Sequence, residues 1–246
     1  MAVIDLSKKQ VIVTGGCNGI GKEIVNQFLV SGAFVHIVDV DLEKGKEMMK
    51  LNKMVQFHQF DVSAPEHISD FFQQLRDESV QPDILVNNAG ISRFKKLMEC
   101  DNSFWDEVIN TNLRAPFIFS REFAKMHKAI SYGRIINIAS TRFVQSEPDS
   151  EAYGASKGGL VSLTHALAAS LSGSGITVNC ISPGWINTNE KASFPDVDHL
   201  QHFSGRIGRP SDVANIVLFL CDPQNDFING EEIRADGGMT RKMIYL

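Results

Sequence analysis

The chain is poor in cysteine. Its four cysteines, Cys17, Cys100, Cys180 and Cys221, are scattered through 246 residues. None forms a Cys-x-x-Cys pair or falls at a ligand spacing from a histidine, which argues against a disulfide framework and against zinc. No metal site is expected. Long hydrophobic runs are missing too: no stretch approaches the roughly 20 apolar residues of a membrane helix. Met1 to Gln10 lacks the apolar core of a signal peptide, so a reducing cytoplasmic setting is the simplest expectation. There is no excess of basic residues: 24 Lys and Arg stand against 29 Asp and Glu, a net charge of −5. That balance gives no footprint for nucleic acid or an anionic membrane. The short basic pair Lys95-Lys96 reads as a solvated loop.

What is present is an alternation of two patterns. Short β-branched runs occur at Gln10–Thr14, Phe34–Asp39, Val55–Asp61, Ile84–Asn87, Arg134–Ala139, Thr177–Ser182 and Glu232–Ala235. Helix-length segments lie between them at Gly19–Ser31, Asp41–Asn52, Pro65–Ser79, Asn102–Ala129, Ser150–Ser172 and Ser211–Asp222. Strand runs that are apolar throughout, such as Val11-Ile12-Val13, imply burial on both faces of a parallel sheet. The alternation predicts an α/β domain with a doubly wound, Rossmann-like parallel sheet. No linker or repeat interrupts it, so residues 1–246 read as a single domain. The least regular stretch, Trp185 to Arg209, follows a strand, where such folds place ligand loops.

Two constellations carry chemistry. Val11-Ile12-Val13 runs into Thr14-Gly15-Gly16-Cys17-Asn18-Gly19-Ile20-Gly21 and then a helical pattern. Glycines there allow a tight turn and close approach of backbone to a pyrophosphate, which the helix start attracts. The spacing is G-x-x-x-G-x-G rather than G-x-G-x-x-G. Asp39 ends the next strand, eighteen residues after Gly21. Its carboxylate suits both adenosine ribose hydroxyls and repels a 2′-phosphate. No Lys or Arg lies between Gly15 and Gly21, and Val40 follows Asp39. These features favour NAD over NADP. The second constellation is Tyr153-Gly154-Ala155-Ser156-Lys157, with Ser140 thirteen residues upstream. Tyr153 and Lys157 share one helix face. An ammonium beside a phenol is expected to lower its pKa from about 10 and let it exchange a proton near neutral pH. Taken singly, a Tyr-x-x-x-Lys pair is weak evidence.

Together these motifs resemble the short-chain dehydrogenase/reductase family in its compact single-domain form. Thr14-Gly15, Gly19 and Gly21 match its coenzyme loop, Asn87-Asn88-Ala89-Gly90 its N-N-A-G segment, and Pro183-Gly184 its P-G after the sixth strand. Asn112, within Asn110-Thr111-Asn112-Leu113, falls at the family's active-site asparagine, and Ser140, Tyr153 and Lys157 at the remaining catalytic positions. The resemblance implies a hydride transfer between NAD and a secondary alcohol or ketone. Tyr153 would be the acid/base and Ser140 would hold the substrate oxygen. Lys157 would lower the Tyr153 pKa and bind the nicotinamide ribose. Asn112 would interrupt its helix and position a water leading from Lys157 to solvent. It also implies coenzyme contacts from Asn18, Ile20, Asp61, Val62, Asn88, Ala89, Gly90, Pro183, Gly184, Ile186 and Thr188. A homotetramer is implied as well, with Ser150–Ser172 and Ser211–Asp222 in its interfaces; Gly158, Gly159, Leu163 and Leu167 suit such packing or internal packing equally.

The substrate side is less defined. Three segments are expected to line it, Ile91–Leu97, Thr141–Glu151 and Trp185–Phe203, with Arg93, Phe94, Arg142, Phe143, Glu147, Trp185 and Phe194 as candidates. Trp185 serves equally as a wall or as packing. His199 and His202 read as solvated loop residues, and the loop as a small or incomplete lid. Two other readings stay open: an NADP-using 3-oxoacyl thioester reductase, and a non-catalytic NAD-binding regulator. An epimerase using bound NAD would need a substrate domain for which the chain has no room.

Overall fold

The computed structural model describes residues 4–127, 132–189 and 191–243. Seven strands form one parallel sheet: β1 (Gln10–Thr14), β2 (Phe34–Asp39), β3 (Val55–Gln59), β4 (Ile84–Asn87), β5 (Gly133–Ile138), β6 (Ile176–Pro183) and β7 (Glu232–Ala235), in the order β3-β2-β1-β4-β5-β6-β7. The order reverses between β1 and β4, the switch point where doubly wound sheets open a ligand crevice at their carboxyl ends. Helices α1 (Gly19–Val30), α2 (Leu42–Leu51), α3 (Pro65–Asp77), α4 (Asn102–Ile109), α5 (Ala115–Met126), α6 (Glu151–Ser170), α7 (Asp196–His199) and α8 (Pro210–Cys221) complete the chain.

Alternate strand residues supply two separate cores. Val11, Val13, Val35 and Ile37 pack with Phe28 of α1 and Val217 of α8. Ile12, Val38 and Leu85 face the other way, onto Phe71 and Phe72 of α3 and Phe119 and Phe123 of α5. This two-sided burial is why the strands read as continuous apolar runs.

The structure departs from the sequence expectations in three places. Strand β3 ends at Gln59 rather than Asp61; Asp61 turns the chain instead, accepting from the Ser63 amide at 2.8 Å. The expected helix Asn102–Ala129 is divided by a π turn over Asn110–Arg114, in which the Ala115 amide bonds back to the Asn110 carbonyl. Its predicted end, residues 128–129, lies outside the described residues. The irregular stretch after β6 contains the short helix α7.

Between β2, β3 and α3 the apolar layer holds two buried histidines. His36 Nε2 bonds Gln10 Oε1 at 3.0 Å and His36 Nδ1 meets His58 Nε2 at 3.2 Å. The amide oxygen must accept, so neutral His36 donates to it and accepts from His58. Burial lowers both side chains to about 4, His58 adding to the effect on His36 and Glu78 opposing it on His58. Unfolded histidine titrates near 6.5. The unfolded chain therefore binds more protons than the native one between these values, and stability falls as pH drops from about 6.5 towards 4. Urea unfolding across that window should show the loss, with a shallower slope in His58→Gln.

Candidate active site

The first half of the site is the corner between β1 and α1. Gly15 adopts φ +64°, and a Cβ on Gly21 would stand 2.0 Å from the Gly15 carbonyl oxygen, so neither position tolerates a side chain. Asn88 braces this corner from β4: its side-chain amide donates to the carbonyls of Thr14 and Gly15 at 3.0 and 2.9 Å. Thr14 Oγ1 in turn accepts from the amides of Asn88 and Ala89, both at 3.0 Å. Thr14, which the sequence marks only as part of the loop, is thus the hub between the two segments. Helix α1 begins at Gly19 with extended Asn18 as its N-cap, without a side-chain cap and without an acidic residue in its first turn. Its free N–H groups and positive dipole end remain for a phosphate.

Asp39 sits beside this helix start. Its Oδ2 accepts from the Cys17 amide at 2.9 Å and its Oδ1 from the Asp41 amide at 3.1 Å, which fixes the carboxylate at the crevice edge. Lys44, which the sequence reading did not weigh, reaches the same corner from α2. It bonds Asn18 Oδ1 and lies 3.4 Å from Asp41 Oδ2. A cavity of about 1270 Å³ runs from Cys17, Asn18 and Gly19 past Lys44 to Thr188 and Arg209. The glycine corner, the uncapped helix and the carboxylate fit a dinucleotide. Of the expected adenine contacts, Asp61 is exposed, while Val62 is 7% exposed and belongs to the apolar layer.

The second half is a smaller chamber of about 220 Å³ that brings together Ile20, Asn88, Gly90, Ser140, Tyr153, Lys157, Pro183, Gly184 and Ile186. Ser140 leaves the carboxyl end of β5, and its Oγ accepts from the Arg142 amide at 3.2 Å. Tyr153 and Lys157 lie one turn apart on α6, with Lys157 Nζ 5.7 Å from the phenol ring centre. Lys157 is only 5% exposed and donates to the Ile138 carbonyl at 2.8 Å. Burial pulls it down to about 8, opposed by Cys180.

The electrostatics correct one expectation: the Tyr153 phenol is raised above its ordinary value, not lowered. Burial dominates, and hydrogen bonding to Ser140, the charge of Arg142 and hydrogen bonding to Ser92 pull the other way. The physical reason is that both members of the pair are desolvated, which disfavours phenolate and ammonium alike. The resting state at neutral pH is a protonated phenol, the form that donates.

Asn112 leaves the helix at the π turn and hydrogen-bonds the loop after β4. Its Oδ1 accepts from the Ile91 amide at 2.8 Å, and its Nδ2 donates to the Ile91 carbonyl at 2.9 Å and to Ser156 Oγ at 3.1 Å. A Cβ on Gly90 would lie 3.2 Å from Asn112 Oδ1 and 3.5 Å from Lys157 Nζ, so these two atoms border the same small space. Beneath it, buried amides tie α5 and α6 to the sheet. Asn87 Nδ2 donates to Ser120 Oγ at 3.2 Å and Asn137 Oδ1 at 2.8 Å, and Asn137 Nδ2 donates to Thr164 Oγ1 at 2.9 Å.

Outside Tyr153 opens a cavity of about 1140 Å³ lined by Phe94, Arg142, Glu147 and Trp185, four of the seven substrate-side candidates. Phe94 packs edge-on to Tyr153, ring centres 5.9 Å apart. The other three lie elsewhere. Arg93 is drawn off by Glu107 at 2.6 Å on the exposed side, and Phe143 lies under the Arg234 guanidinium at 5.2 Å. Phe194 stacks edge-on to Trp185 at 5.3 Å but faces the coenzyme-side cavity. His202 is not solvated: it is 4% exposed, packed against Gly237 at the turn after β7. Among the described residues no group of three or more His, Cys, Asp or Glu is placed to hold a metal, and no helix is long and apolar enough to cross a membrane.

A doubly wound parallel sheet with a glycine corner, a carboxylate at the crevice edge and Ser140, Tyr153 and Lys157 gathered in one chamber is the arrangement of a nicotinamide-coenzyme oxidoreductase. Residues 15–240 match the family model described as Enoyl-(Acyl carrier protein) reductase. An uncharacterized oxidoreductase of Thermotoga maritima is 43% identical over 98% of this chain and 99% of its own. The 3-oxoacyl-[acyl-carrier-protein] reductase of Chlamydia pneumoniae is 37% identical over 96% and 99%. An apo SCOR enzyme from Clostridium thermocellum superposes with a TM-score of 0.87 at 42% identity, over 97% of this chain and 95% of that one. The chain belongs to the short-chain dehydrogenase/reductase family.

Asn112→Ala would strand the Ile91 amide and carbonyl at the buried π turn. A stability loss of about 1–3 kcal/mol is expected, read as a lower urea midpoint at unchanged slope.

Proposed function

We propose that the protein is an NAD-dependent oxidoreductase that interconverts a secondary alcohol and a ketone, with Tyr153 as its acid/base. The observation that carries this is the convergence of Ser140, Tyr153 and Lys157 on one chamber continuous with the Gly90 and Pro183-Gly184 backbone. A bound nicotinamide supplies or takes the hydride. The residues of this chain do the rest. Ser140 and Tyr153 hold the substrate oxygen between two hydroxyls. In reduction the phenol, kept protonated by its burial, gives its proton to the forming alkoxide; in oxidation it must first pass its own proton outwards, and the phenolate then takes the hydroxyl proton. Lys157 orients beside it, with Asn112 Oδ1 bordering the same space as a station for a water. Gly15, Asn18, Gly19, Ile20 and Gly21 would hold the pyrophosphate, Asp39 the adenosine ribose, and Asp61 and Val62 the adenine. Asn88, Ala89 and Gly90 would back the coenzyme's centre, and Ile186 and Thr188 the carboxamide.

The coenzyme assignment rests on Asp39. Solved relatives hold either form: 4-hydroxyisoleucine dehydrogenase (32% identical) with NADH and ElxO (31% identical) with NADP. What supports NAD is the Asp39 carboxylate held at the crevice edge, where its charge would repel a 2′-phosphate, while the nearby Lys44 charge is shared with Asp41. The second reading, an NADP-using 3-oxoacyl thioester reductase, draws support from the Chlamydia pneumoniae relative. A homotetramer remains the expected assembly; a shallow apolar hollow of Ile109, Leu113, Phe117, Gly159 and Leu163 suits a second copy.

Tyr153→Phe should cut turnover by about 10²–10⁴-fold while NAD affinity, measured by fluorescence titration, changes little; retained turnover would remove Tyr153 from its role. Asp39→Ala should reduce the NAD over NADP preference by about tenfold to a hundredfold, read as the ratio of the two kcat/KM values. An unchanged ratio would sink the ribose assignment.

A further inference from the structure

Arg142 stands two residues after Ser140, on the wall of the cavity that opens outside Tyr153. Its backbone is locked there, since its amide donates to Ser140 Oγ at 3.2 Å. The guanidinium is 33% exposed and touches a carboxylate already: its Nη2 lies 2.6 Å from Glu147 Oε1, and the Glu147 side chain is 43% exposed. No other acceptor among the described residues bonds the guanidinium, so most of its five N–H donors remain free. The rest of the wall mixes apolar side chains, among them Phe94, Trp185, Val197, Leu200 and Met243, with neutral polar ones such as Gln145 and Gln201. Glu147 is the only acidic residue in that lining. Lys242, the other cation there, is turned onto the Leu200 carbonyl.

A half-exposed ion pair contributes on the order of 0–1 kcal/mol to stability, so the fold gains little from holding this one over the reaction chamber. An arginine fork recognises planar carboxylates by paired N–H donors. Glu147 meets this guanidinium through one oxygen only, and as a half-exposed partner it yields to a competing carboxylate at small cost. Arg142 and Tyr153 line the same cavity, so an anion bound to the guanidinium shares the space that opens onto the phenol.

We propose that the substrate is a hydroxy acid, and that Arg142 binds its carboxylate in competition with Glu147 while Ser140 and Tyr153 hold its hydroxyl. This rests on the oxidoreductase reading above and names its substrate class. Glu147 then acts as a place-holder: it keeps the guanidinium over the cavity and sets a threshold that a neutral alcohol gains nothing by crossing.

The test compares 2-, 3- and 4-hydroxy acids with their methyl esters, scored by NADH absorbance in wild type, Arg142→Gln and Glu147→Gln. The quantity read is the ratio of kcat/KM for an acid over its own ester, which cancels any general effect of Arg142 on Tyr153. Wild type should favour at least one acid by about tenfold or more. Arg142→Gln should lower that ratio by about tenfold to a hundredfold through KM for the acid. Glu147→Gln, which removes the competing charge and does not depend on Arg142→Gln folding, should raise it. Esters turned over as well as their acids by wild type, or a ratio unmoved by both variants, would overturn the proposal while leaving the oxidoreductase reading intact. If wild type binds NAD but turns over neither acids nor esters, the hydroxy-acid proposal is overturned, while the oxidoreductase reading, which covers other secondary alcohols, is decided separately by the Tyr153→Phe comparison.

Discussion

The site depends on a chain of two amides and a hydroxyl buried towards the carboxyl edge of the sheet. Asn87, Asn137 and Thr164 link β4 to β5 and β5 to α6 through hydrogen bonds that have no water to replace them. Helix α6 carries Tyr153 and Lys157, and its register on the sheet is set where Thr164 meets Asn137. An apolar contact tolerates sliding by a fraction of a turn; a buried amide-to-hydroxyl bond does not, because a displaced partner is left unsatisfied. The same logic operates nearer the coenzyme corner. There Asn88 and Thr14 exchange bonds, so the glycine turn after β1 is tied to the segment that follows β4.

Burial shapes the electrostatics of what these contacts hold. Lys157 sits under the Ile138 carbonyl with almost no solvent, and Tyr153 is walled by Phe94. Each loses hydration of its charged form, so the phenol rises and the ammonium falls. Simple proximity of opposite charges, which is all that sequence spacing offers, predicts the reverse for the phenol. The pair is better described as two desolvated groups whose proton affinities are driven apart, the phenol's upwards and the ammonium's downwards, with the charge of Arg142 opposing the rise of the phenol.

Much of this architecture is legible in the sequence because its signals are local. Apolar triplets such as Val11-Ile12-Val13 report a strand covered on both sides, and the glycines from 15 to 21 report a corner that admits no Cβ. Asn112, Ser140, Tyr153 and Lys157 are found through the ordered family motifs. What was hidden is whatever depends on contacts between distant segments. His202 looks like any loop histidine until the turn at Gly237 packs over it. Arg93 and Arg142 are indistinguishable as cations in loops; only the positions of Glu107 and Glu147 send one outwards and keep the other over the cavity. The Asn87–Asn137–Thr164 chain was missed because polar residues inside strands and helices carry no signal of their partners.

The π turn at Asn110–Arg114 has a consequence for how this protein can change. It is one residue too many for a regular helix, and the surplus is what turns Asn112 towards Ile91. Local helical energetics favour its removal, since a one-residue deletion would heal α4 and α5 into a continuous rod. That rod would turn every later side chain of α5 by about 100° relative to α4, moving Phe119 and Phe123 off the sheet. The bulge is therefore trapped: the mutation that relieves it locally would unseat the core beneath it. The extra residue persists as a frozen insertion rather than a tunable element.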